Sequence, residues 1–156
     1  MRRDRLSPVA NYTTQGRQII GTTTLDDATV TSIAPYLSNS IRWTPWLKTI
    51  AGLRFDHQQF DVTSTVPANS GNRSDSLRSP KFSAVFGPWA KTEYFLNWGR
   101  GFHSNDARGT TARVDPRSGE SVAPVPVLVG SRAQEVGLRA LWWDQAPTTL
   151  TLWRLD

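Results

Sequence analysis

The chain has 156 residues, enough for one domain or a piece of a larger one. Its 18 Lys and Arg outnumber 13 Asp and Glu for a net charge of +5, but they are scattered rather than gathered into a run, which argues against nucleic acid as a partner. There is no cysteine, so neither a disulfide framework nor a thiolate metal centre is available, and no stretch of about 18 apolar residues can form a membrane-crossing helix.

In chain order, the start around Arg2, Arg3 and Arg5 is locally basic and lacks the apolar stretch of a signal peptide. Residues 5–12 read as the end of a strand, and residues 13–27 as a polar stretch. Alternating blocks then predict six strands, over residues 30–43, 47–62, 80–87, 92–102, 131–143 and 148–156. Short, proline-bearing connections join them at Thr44-Pro45, residues 88–91 and residues 144–147, as tight turns do. Long polar segments, residues 63–79 and 103–130, fall between those turns. Short and long connections therefore alternate, as expected of an antiparallel meander with tight turns at one end and long loops at the other. An outer-membrane barrel has that form.

The faces of the strands are consistent with lipid on one side. In the second strand Leu47, Thr49, Ala51, Leu53 and Phe55 share one face, and Lys48, Arg54 and Asp56 share the other. Placing a Lys or Arg on the lipid face near mid-membrane costs roughly 2–4 kcal/mol, so a one-residue slip of register is strongly disfavoured. Tyr94, Leu96 and Trp98 likewise oppose Glu93, Phe95 and Asn97, while Val136, Leu138 and Ala140 oppose Glu135 and Arg139. Of seven tryptophans, Trp43, Trp46, Trp89, Trp142 and Trp143 lie within a few residues of the short turns, where a membrane–water interface holds indole rings. A soluble β-sandwich module, with exposed tryptophans stacking on carbohydrate, also accounts for the alternation.

Several stretches carry a resemblance. "WLKTIAGLRFDHQQFDV" from Trp46, "SPKF" from Ser79, "EYFLNWGRGFHSNDARG" from Glu93, "EVGLR" from Glu135 and "TTLTLWRLD" from Thr148 together resemble the β-barrel of TonB-dependent outer-membrane receptors. The resemblance implies an all-β, antiparallel meander that supplies about six or seven strands of a 22-stranded transmembrane barrel. Residues 1–156 would then be a partial barrel domain, with the plug domain and the barrel ends lying outside it. It further implies a Gram-negative outer-membrane location and active uptake of a scarce nutrient such as a ferric siderophore or cobalamin. The implied partners are outer-membrane lipid, the TonB complex through an N-terminal part of the parent, and the nutrient or metal chelate itself. No cofactor is implied. A fragment of a general porin remains an alternative.

The densest chemistry lies in "NWGRGFHSNDARG", from Asn97. His103 with Asp106 matches no strong metal-ligand spacing, so no metal is expected. His103, Asn105, Asp106, Arg108 and Arg113 are instead expected on a long extracellular loop. There they either contact an anionic ligand by charge-assisted hydrogen bonds or hold the rim in shape. His57 is expected at the loop end of its strand, and Glu135 with Arg139 on a charged lumen wall. No nucleophile elbow or other catalytic constellation is present, so the chain is not expected to be an enzyme.

Overall fold

The computed structural model describes residues 1–156, except for the side chains of Leu6 and Ser7. Eight strands occupy most of the chain: β1 (Arg2–Gln15), β2 (Gln18–Ile33), β3 (Tyr36–Thr44), β4 (Leu47–Ser64), β5 (Gly71–Trp89), β6 (Thr92–Ser104), β7 (Leu128–Trp142) and β8 (Ala146–Leu155). The one α-helix, α1, is the short Ala107–Thr111, and Pro67–Asn69 forms a single 3-10 turn. The strands form one sheet in the order β1-β2-β4-β5-β6-β7-β8, with β3 also paired to β4. A single sheet of consecutive antiparallel strands is not a β-sandwich, which needs two sheets packed face to face.

β2 and β3 behave as one strand with an interruption. Ile33 pairs with His57 and Tyr36 with Arg54, so the register against β4 continues unbroken across Ala34 and Pro35. Pro35 has no N–H to give the ladder, yet its carbonyl still accepts from Phe55 N at 3.0 Å. The sequence-based count of six strands, plus the end of an earlier one, therefore matches the seven positions along the sheet.

Three boundaries differ from the expectation. Residues 13–27 are strand and not a polar stretch, because Gly16 and Arg17, at φ 57° and 68°, make a two-residue hairpin that folds β2 back on β1. Much of the polar segment 63–79 is also strand, since β5 starts at Gly71 and only residues 65–70 form the connection. Serine, Asn and Arg are poor strand formers in isolation, and pairing with neighbouring strands overrides that preference. The third difference is in the second long connection, which is residues 105–127 and somewhat shorter than expected.

The proline-bearing turns also form differently. Ala90-Lys91 and Trp143-Asp144 carry consecutive positive φ values, of 49° and 61° and of 49° and 59°. Such pairs give the primed turns whose twist suits antiparallel strands, although none of these residues is glycine. Pro88 and Pro147 lie within strands beside these turns. At Gly87, φ is 113° and the β5–β6 register shifts, and a Cβ there would stand 2.7 Å from Thr92 O. Only glycine suits that bulge.

The chain divides into two compact units: Met1–Ala34 with Asp56–Ser76 and Ser104–Val129, and Pro35–Phe55 with Leu77–His103 and Gly130–Asp156. In the first, Ala28, Phe60, Val62, Ala107, Val127 and Leu128 form a buried apolar core. The second is a sheet with large apolar side chains left exposed, among them Leu53, Phe82, Leu96, Val136 and Leu152.

Candidate loop site and strand faces

Residues 105–127 are folded, and the reason lies in their own polar side chains. Asp106 caps α1 by accepting from Arg108 N at 2.9 Å and takes the Arg108 guanidinium on both carboxylate oxygens. That guanidinium, foremost by its hydrogen bond, holds the Asp106 carboxyl below the ordinary carboxylate range, against the opposing effect of partial burial. Beyond the helix, Val114 and Ser121 form an antiparallel bridge. Asp115 closes that small hairpin, accepting from Arg117 N at 2.7 Å and Ser118 N at 3.1 Å, and these two backbone donors lower its carboxyl pKa.

Asn69 ties this loop to the shorter one between β4 and β5. Its side-chain oxygen accepts from Arg113 N at 2.8 Å and Val114 N at 3.0 Å, while Nδ2 donates to Val114 O at 2.9 Å. Asn69 is buried, and all three bonds are local substitutes for a strand pairing. A second polar chain runs from Asn11 Nδ2 to Thr24 Oγ1 at 2.8 Å, and from that hydroxyl to Asp26 Oδ2 at 3.2 Å. Asn11, Asp26, Asn69, Arg108 and Asp115 line one concavity of about 270 Å³ within the first unit.

Of the five loop residues singled out by sequence, the fold brings Asn105, Asp106, Arg108 and Arg113 into that unit. His103 belongs to the second, exposed near the end of β6. Asn105 Nδ2 donates to Pro126 O at 2.8 Å, and its backbone N donates to Val127 O, which closes the base of the loop. Arg113 contributes its backbone N–H to Asn69 and is exposed. Asp26 and Asn69 were not picked out from sequence. Asn69 sits in "VPANSG", whose proline and glycine signal a turn but not what its side chain would grip. His57 Nδ1 lies 2.8 Å from Ser76 Oγ.

In the second unit the two faces differ as the alternation predicts. Arg42, Lys48, Glu93, Asn97, Glu135 and Arg139 line a concavity of about 550 Å³. Arg139 does not pair with Glu135 along its own strand. It reaches Glu93 Oε2 at 2.6 Å, and Glu135 accepts from Asn97 Nδ2 at 3.1 Å. Residues four apart along a strand stand about 13 Å apart, whereas cross-strand neighbours lie near 5 Å, so the partner comes from β6. On the opposite parity Phe82 pairs with Trp98, Val136 with Leu152 and Leu138 with Leu150.

The turn-end tryptophans are also in this unit. Trp46 and Trp89 have ring centroids 6.1 Å apart, Trp89 and Tyr94 6.2 Å, and Trp142 and Trp143 6.4 Å. Trp43 donates Nε1–H to Thr49 Oγ1 at 2.8 Å. All five remain exposed. Among the described residues no group of three or more His, Asp or Glu side chains is placed to hold a metal.

Residues 2–156 match the model of the family described as TonB dependent receptor-like, beta-barrel. No curated protein matches the chain.

Proposed function

The chain belongs to the TonB-dependent receptor β-barrel family, and on that premise we propose that it forms part of the wall and rim of an outer-membrane receptor that actively imports a scarce nutrient, such as a ferric siderophore or cobalamin. Members of this family are outer-membrane transporters rather than enzymes. The observation that carries the reading is the family match over almost the whole chain, supported by strands with one apolar exposed face and one charged face. Residues 1–156 contribute strands to a barrel domain completed by other parts of the receptor. The apolar face meets lipid, and Trp43, Trp46, Trp89, Trp142 and Trp143 sit at the membrane–water interface of the short-turn end. Energy comes from the TonB complex, which engages the receptor outside these strands.

The solute is met at the long-loop end. Arg113 and the Arg108–Asp106 pair offer donors and charge for an anionic chelate, on a loop held in shape by Asn69 and Asn105. A pre-folded loop loses less conformational entropy on binding than a mobile one.

The test is uptake by cells whose receptor carries this chain, supplied with iron-55 on a hydroxamate or catecholate chelator, or with labelled cobalamin. Accumulation that stops when the proton gradient is dissipated supports the reading. Replacing Arg108 and Arg113 with alanine should then raise the half-saturating concentration by about tenfold, at unchanged receptor level. Passive uptake that survives loss of the gradient would place the chain in a general porin instead. Accumulation of none of these solutes would remove the nutrient assignment.

A further inference from the structure

The concavity of about 270 Å³ in the first unit contains a carboxylate that its surroundings leave without a counter-charge in contact. Asp26 lines it and is only 7% exposed. Among the described residues its one hydrogen-bond partner is the Thr24 hydroxyl, 3.2 Å from Oδ2, and that hydroxyl is itself held by Asn11 Nδ2 at 2.8 Å. Oδ1 receives no donor, yet it is not sealed from solvent. No Lys, Arg or His among the described residues forms an ion pair with Asp26. Arg108 lines the same concavity and feels the Asp26 charge, but both of its side-chain hydrogen bonds go to Asp106. A buried carboxylate with one neutral partner carries most of its desolvation cost uncompensated, and a bound cation offsets that cost.

The rest of the lining says which kind of cation. Its charged side chains are Asp26, Asp115 and Arg108, two negative against one positive. Asp115 is held ionised by the Arg117 and Ser118 N–H groups, both of which bond Oδ1. Asn11 spends Nδ2 on Thr24, which leaves its amide oxygen as a neutral acceptor one hydroxyl away from Asp26. Val62, Ala112, Val114, Pro116 and Val122 supply apolar wall. Oxygen acceptors with hydrocarbon beside them suit a group that carries N–H donors on an aliphatic stem. A hard divalent metal takes about six or more oxygen ligands, and among the described residues no three acidic or imidazole side chains gather to hold one. An alkylammonium brings three donors and keeps its charge at neutral pH, with a pKa of about 10.4 like that of lysine.

We propose that Asp26 and Asn11 bind the primary ammonium group of an aliphatic amine whose stem lies against Val62, Val114 and Val122. Thr24 fixes the Asp26 carboxylate by its Oδ2, so that Oδ1 is the oxygen presented to the amine. Asp115 adds negative charge from the half-exposed part of the lining. The site thus recognises an aminoalkyl arm, opposite in sign to the anion that the exposed Arg113 attracts. The inference goes beyond the uptake reading and holds whichever solute is carried.

The test uses the intact receptor in detergent micelles, titrated with 4-aminobutan-1-ol, with butane-1,4-diol of the same length, or with calcium chloride, and followed by saturation-transfer NMR. Wild-type protein should bind the amino alcohol at least about tenfold more tightly than the diol, since only the former brings a charged donor. Asp26→Asn keeps the shape and the Thr24 contact but removes the charge, and should erase roughly tenfold of that preference. Asp115→Asn, on a half-exposed side chain, should weaken it by about threefold and gives the same comparison if D26N fails to fold. Equal binding of amine and diol by wild-type protein would overturn the proposal, as would an undiminished preference in whichever of the two variants folds. Displacement of the amino alcohol by micromolar calcium would overturn the ammonium assignment in favour of a metal site.

Discussion

Phe95 and Gly137 face each other across β6 and β7 so closely that a Cβ built on Gly137 would stand 2.5 Å from Phe95 Cζ and 2.5 Å from Leu150 O. The ring can move aside but the backbone carbonyl cannot, which leaves no space for a side chain. Gly137→Ala should therefore destabilise the folded protein by about 1–3 kcal/mol. Adding Phe95→Leu should restore only part of that loss, because the Leu150 carbonyl stays in place. Denaturant unfolding of the refolded barrel measures both, and full rescue by the second substitution would show the carbonyl contact to be unimportant.

Asn69 predicts a local effect. Asn69→Ala removes all three bonds to Arg113 and Val114 and leaves two N–H groups and one carbonyl seeking water. Losing them should cost the loop about 1–3 kcal/mol of local order with little change in the strands. Limited proteolysis within residues 112–122 should accelerate while cleavage elsewhere stays constant. An unchanged cleavage pattern would mean that the Val114–Ser121 hairpin holds itself.

Acid should loosen the same loop. Asp106 and Asp115 both have carboxyl pKa values lowered from the ordinary 3.8, the first by the Arg108 side chain and the second by backbone N–H donors. For a carboxylate lowered on folding, the stabilisation is complete above the ordinary value and is lost as pH falls through the lowered one. The loop should thus be insensitive to pH through the neutral range and begin to disorder only below the ordinary carboxylate pKa. Amide resonances of Arg108, Arg117 and Ser118 followed by NMR would report it, and a transition near neutrality would contradict the assignment.

The tryptophans at the short turns make a prediction about depth. If Trp46, Trp89 and Trp142 lie at a membrane interface, lipids brominated near the headgroup should quench their fluorescence more than lipids brominated near the chain ends. Trp98, which stands among Phe82, Leu96 and Val136 on the apolar face, should respond to bromines placed deeper in the chain. Single-tryptophan variants of the receptor separate these signals, and uniform quenching at all depths would argue against an ordered interfacial band.

Much of this was legible in the residues themselves. Period-two alternation assigned Lys48, Glu93, Glu135 and Arg139 to one face and Leu53, Leu96 and Val136 to the other, because successive strand side chains must point to opposite sides. The grouping of Trp43, Trp46, Trp89, Trp142 and Trp143 near short connections was equally a matter of position in the chain. The quoted motifs then identified the family, which the match over residues 2–156 shows.

What only the tertiary structure decided was pairing across strands and between loops. Alternation places Glu135 and Arg139 on one face but is silent on cross-strand partners, and those turned out to be Asn97 and Glu93. Residues 13–27 and 71–79 look too polar for strands on local propensity, yet the ladder satisfies their backbone groups. Asn69 and Val114 are 45 residues apart, and Arg139 and Glu93 sit on different strands. No local signal connects such positions, since their proximity follows from register, which is a property of the assembled sheet.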